Sequence, residues 1–135
     1  MNKKWHEDIW DMHYKFGVHQ WIMENIDNKE LMTKFLEFRL QFLQEELDET
    51  RAAAVVDGNP QEIVDGLIDL CVVAIGTLDA FGVDPQVAWD EVHKANMSKE
   101  AGVKELVLHH LVPVPDNFIL KRRFQQSSGS CRPRI

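Results

Sequence analysis

Apolar side chains recur at intervals of three and four through most of the first hundred residues, and strict apolar/polar alternation is confined to short runs. That periodicity predicts helices and almost no strand. A first helix is expected over residues 4–16, ending near Gly17. A second is expected to open on DNKE, with Asp27 as N-cap and Glu30 three residues later as the capping-box acid. It should run through Leu31, Phe35, Phe38, Phe42, Leu43 and Leu47 to about Val56, where Asp57-Gly58 ends it. The third begins on GNPQE, with Asn59 as cap and Pro60 in the first helical position, and stops at Gly82. VDPQVAWDEVHKAN repeats the same grammar, Asp84 capping and Pro85 opening a fourth helix to about Asn96. Beyond Lys99 the pattern weakens: residues 100–115 read as a turn or short strand, then an extended arm and a loose tail.

The fold class is therefore all-α with an irregular C-terminal arm. The second and third helices are long and joined by a tight turn, so they are expected to lie antiparallel. The third is apolar nearly all round over residues 67–78, apart from Asp69 and Thr77. Such a helix needs covering on every side, which four helices of one small chain do poorly. A homo-oligomer is expected, a dimer or tetramer with a four-helix-bundle core built from two helix pairs.

Length and charge narrow the function. The 135 residues suit one domain, residues 1–120, followed by a basic tail, residues 121–135. The tail holds 5 Lys/Arg and no acid, whereas the body holds 10 Lys/Arg against 22 Asp/Glu. A body this acidic does not suit nucleic acid, whose phosphates demand neutralising cations. No apolar run has the length of a membrane span, and the first residues do not read as a signal peptide. Cys71 lies in an apolar run and Cys131 in the tail, which is no disulfide framework. A reducing cytoplasm is the expected location.

The candidate chemistry lies in FLQEELDETRAAAVVDG, where Glu45, Glu46, Asp48 and Glu49 crowd into five residues. On a helix Glu45 and Glu46 each share a face with Glu49. On the next helix Asp65 and Asp69 are four apart, and Asp69 falls inside LIDLCVVAIG, where a lone carboxylate is costly. No Lys or Arg occurs between residues 52 and 93 to balance it. Two alternatives follow: a solvated acidic face, or four carboxylates, Glu46, Glu49, Asp65 and Asp69, holding a cation. Oxygen ligands without Cys or a His pair favour a hard ion, Mg²⁺ or Mn²⁺. A second pairing, Asp90 with His93, is too little for a di-iron bundle, which needs two Glu-x-x-His pairs. His6, His13 and His19 read as surface or aromatic-packing residues rather than ligands.

With these residues in view, the chain from about Trp10 to Lys99 resembles the MazG-like all-α nucleoside triphosphate pyrophosphohydrolases. Their hallmark is Glu-Glu-x-x-Glu on one helix and Glu-x-x-Asp on the next. The first half matches in full as Glu45-Glu46-Leu47-Asp48-Glu49. In the second, aligning Asp69 on the family aspartate puts Gly66 where the glutamate belongs; Asp65 is expected to replace it, with Glu62 in reserve. WDMHYKFGV and the third helix are similar to small phage-encoded members, MazZ-like proteins, some acting on guanine deoxynucleotides. A phage origin would place the protein in the host cytoplasm.

The resemblance implies conversion of a (deoxy)nucleoside triphosphate, with dGTP or GTP the named candidates, to monophosphate and pyrophosphate. Two or more Mg²⁺ ions (or Mn²⁺) are implied as cofactors. Glu45 or Glu49 would orient or deprotonate the attacking water, and Lys94, Asn96 and Lys99 of KANMSK would face the phosphates. Trp10, His13 and Phe16 are the expected wall for the base, although an aromatic stripe also suits core packing. The rival reading is a non-enzymatic acidic module that binds metal or a basic partner.

Overall fold

The computed structural model describes residues 4–99, and every regular element among them is helical. Helix α1 is Trp5–Lys15, α2 Val18–Asn25, α3 Lys29–Ala52, α4 Pro60–Ala80 and α5 Pro85–Ser98. A π-helical turn, Ala53–Asp57, extends α3. The all-α expectation holds for these residues. The arm, the tail and Cys131 lie outside the described residues.

The caps explain most of the boundaries. The Asn59 side chain accepts from the backbone N–H groups of Gln61 and Glu62, and Asp84 does the same for Gln86 and Val87. Each is followed by a proline whose missing N–H costs nothing at that position. Gly58 and Gly82 take positive φ, 55° and 73°, where the chain leaves the helices. Two local expectations are corrected. Asn28, not Asp27, caps α3: Asn28 has extended backbone, and its side chain accepts from Leu31 N at 3.0 Å. Gly17 (φ 76°) turns the chain directly into α2, a helix the sequence pattern did not separate from its surroundings.

Helices α3 and α4 form the spine. Thr50 meets Gly66, Arg39 meets Val73 and Thr77, and Phe35 meets Phe81, so residue numbers run in opposite directions and the pair is antiparallel. Helix α1 packs on α4 through buried Ile9 and His13. Ile22, Met32 and Ala80 form a small apolar cluster covered by Val18, Leu31, Phe35 and Phe81. Much apolar surface remains outside this core. Phe38, Leu40, Leu67 and Ile68 are 45–60% exposed, and on α5 Trp89 is 69% exposed. No single described helix is long and apolar enough to cross a membrane.

Candidate active site

The acidic residues lie around a close approach of α3 and α4. Gly66 is buried, and a Cβ placed there would overlap the Thr50 hydroxyl. That hydroxyl donates to Glu46 O, 2.7 Å away, one turn back along α3. No glutamate fits at position 66, although the motif would have one there. The contact also fixes the register that brings Glu46 of α3 within reach of Asp65 and Asp69 of α4.

The charges at Glu46 show that these groups converge. Its carboxyl is raised above the ordinary 4.5, first by partial loss of solvent and then by repulsion from Asp69, Glu49, Asp65 and Glu45. All the neighbours acting on it are acidic. From α4, Asp65 and Asp69 are the carboxylates that act on Glu46. Asp69 is half-buried and Asp65 exposed, so the apolar stretch around Asp69 does not enclose it in this chain.

Other expected residues lie elsewhere. Lys94, Asn96 and Lys99 occupy the exposed end of α5, Lys99 Nζ donating to Asn96 Oδ1 at 2.8 Å. Helix α5 leaves α4 at a bend of 114°. Asp90 accepts from Gln86, and His93 is exposed. Trp10 and His13 are brought beside Asp79, ten residues beyond Asp69 on α4, or about 15 Å at the usual helical rise. There Trp10 borders a cavity of about 670 Å³ lined also by His6, His19, Ile22, Asp79 and Phe81, among others.

Three residues important to this second region were not among the site residues expected from the sequence. His19, read as a packing residue, donates through Nε2 to Asp79 Oδ2 at 2.8 Å, and His13 Nδ1 donates to the same oxygen at 2.8 Å. Asp79 lies just past the apolar run that drew attention to Asp69. Arg39 is half-buried, donating to Val73 O and Thr77 Oγ1, and burial lowers its pKa. A buried-face Asp, like Asp69, was the available signal for Asp79; nothing in the spacing ties it to His13 and His19.

The family described as phosphoribosyl-ATP pyrophosphohydrolase matches residues 18–96, which span α2 to α5 and hold all five converging carboxylates. The chain belongs to this family. Neither a curated protein nor a solved structure matches it. Phosphoribosyl-ATP pyrophosphohydrolases fall within the MazG-like all-α superfamily, so the resemblance read from the acidic motifs holds at that level. The family's activity is hydrolysis of a nucleotide phosphoanhydride. Helix α1, with Trp10 and His13, lies outside the matched residues.

Proposed function

We propose that the protein is a cation-dependent nucleotide pyrophosphohydrolase that cleaves a (deoxy)nucleoside triphosphate between the α and β phosphorus, releasing the monophosphate and pyrophosphate. The observation that carries this reading is the field at Glu46, where carboxylates from two helices converge and the charges that shift it, among the described residues, are all acidic. Such a cluster is unfavourable alone and is relieved by a divalent ion. Glu46, Glu49, Asp65 and Asp69 fit a hard cation by donor chemistry, all being carboxylates.

Magnesium held there supplies positive charge for the phosphate oxygens and lowers the pKa of bound water. The chain's own residues do the rest. Glu49, on the same face as Glu46, orients the attacking water and takes its proton, with Glu45 as the neighbouring base. Lys94 and Lys99 bring cationic charge to a substrate that the acidic surface otherwise repels, and Asn96 donates to a phosphate oxygen. Trp10, at the rim of the cavity, offers a face for the base. The exposed apolar side chains of α3, α4 and α5 support a homo-oligomer, which would also bring α5 of one copy near the acidic cluster of another.

Guanine nucleotides, dGTP or GTP, are the first substrates to offer, on the similarity to small phage-encoded members. The family match favours a second reading, phosphoribosyl-ATP, in which the same α–β bond is broken. One assay separates them: purified protein with Mg²⁺ or Mn²⁺, offered each common NTP and dNTP and phosphoribosyl-ATP, with monophosphate, diphosphate, pyrophosphate and phosphate resolved. Monophosphate with pyrophosphate is expected. Diphosphate with phosphate, or no turnover of any compound, overturns the proposal.

A further inference from the structure

The cluster of His13, His19 and Asp79 draws one residue from each of α1, α2 and α4. The two imidazole nitrogens each lie 2.8 Å from Asp79 Oδ2, and the ligand atoms of all three residues fall within 4.8 Å of one another. Among the described residues this is the set of His, Cys, Asp or Glu ligand atoms that closes to such spacing; the carboxylates around Glu46 do not. The side chains are well covered, at 5%, 19% and 8% exposure.

Hydrogen bonding alone explains part of this geometry, because one carboxylate oxygen accepts two N–H groups. A further observation points past it. His6 lines the same cavity, and its Nε2 is buried with no hydrogen-bond partner. The cluster therefore borders a space with an unused nitrogen donor in its wall.

We propose that His13 Nδ1, His19 Nε2 and the Asp79 carboxylate bind a zinc-class divalent cation, with a coordination position open toward the cavity. Two imidazoles and one carboxylate select a borderline ion over Mg²⁺, and three protein ligands leave room for water or a small nitrogen or oxygen donor. Bonds of about 2 Å require each nitrogen to move roughly half an ångström away from Asp79 Oδ2, a shift that side-chain rotation supplies, and each neutral ring to carry its proton on the other nitrogen, the N–H bond to Asp79 being exchanged for the bond to the ion. The site shares no residue with the Glu46 cluster, and His13 lies outside the family-matched segment. It gives His13 a ligand role in place of the base contact expected from the sequence.

The test is titration of the full chain with Co²⁺, in excess Mg²⁺, followed by its visible absorption and by displacement with Zn²⁺. One tight equivalent with bands of a nitrogen-ligated ion is expected. His19→Ala should weaken binding at least tenfold, and so should Asp79→Asn, which keeps the side-chain shape and so guards against a simple folding failure. Glu49→Gln should bind Co²⁺ as the wild type does. No tight equivalent in the wild type, or one that survives both His19→Ala and Asp79→Asn, overturns the proposal. Loss on Glu49→Gln alone would assign the ion to the acidic cluster and overturn it equally.

Discussion

Gly66 of α4 lies directly against Thr50 of α3, and a single added carbon at position 66 would overlap the Thr50 hydroxyl. This contact sets the distance between the helices that carry the acidic residues. Gly66→Ala is therefore expected to destabilise the protein. Alanine gains about 1 kcal/mol of helix propensity over glycine, but overpacking costs about 1–3 kcal/mol, and here the obstacle is a neighbouring helix. A net loss of about 1–2 kcal/mol should appear as a lower denaturation midpoint. Adding Thr50→Ala should restore only part of it, since the Thr50 Cβ would still stand 3.1 Å from the new carbon. A Gly66→Ala variant as stable as the wild type would refute this packing.

The same glycine shows how far the sequence could be read. Capping residues and prolines placed α4 and α5 closely, because Asn59-Pro60 and Asp84-Pro85 act through bonds to the next two or three residues. Helical spacing put Glu46 beside Glu49 and Asp65 beside Asp69 for a similar reason, since neighbours three and four apart are predictable, and the family resemblance paired the two helices. The spacing left Asp65 and Glu62 as alternatives, because it does not show how α4 meets α3. The His13–His19–Asp79 cluster was invisible for a related cause. It joins Asp79 to residues 60 and 66 positions earlier, across three helices, and no local rule links them. Asn28 competed with Asp27 for one cap, and a single residue of register decided it.

Glu46 makes the acidic cluster testable without substrate. Its folded carboxyl keeps its proton to higher pH than the ordinary 4.5, so above 4.5 the folded chain binds more protons than the unfolded one. The stabilisation from this group is complete below pH 4.5 and is lost as pH rises through the folded value. In a chelator, Glu46→Gln should therefore melt at or above the wild-type temperature at neutral pH. With Mg²⁺ the order should reverse. A ligand at about 100 times its Kd adds about 2.7 kcal/mol, a rise on the order of 10 °C for a domain of this size, and Glu46→Gln should lose most of it. Equal Mg²⁺ responses in the two proteins would remove Glu46 from the cation site.

Glu49 is expected to matter to turnover rather than to folding. It is exposed, one turn from Glu45 on α3, so glutamine should be accommodated without repacking. Removing a group that both orients water and accepts its proton should lower kcat by about 10²–10⁴. The melting curve in chelator should change by no more than a degree or two, roughly the scale of a surface substitution. Wild-type kcat in Glu49→Gln would transfer the role to Glu45, which the corresponding Glu45→Gln variant would then reveal.

Trp10 tests whether the cavity near Asp79 serves the base. Its ring is half exposed, lying 5.5 Å from Tyr14 in a stacked arrangement and 5.0 Å from His19. Because it stands about three helical turns of α4 from Asp69, it is placed to hold the substrate and not to take part in bond cleavage. Trp10→Ala should raise KM about five- to tenfold, in line with the 1–3 kcal/mol of a base–aromatic stack, and leave kcat within about twofold. The cost should be similar with each base, since every base presents a π face. A fall in kcat at unchanged KM would instead mean that Trp10 supports the fold of α1, and would separate the cavity from the nucleotide altogether.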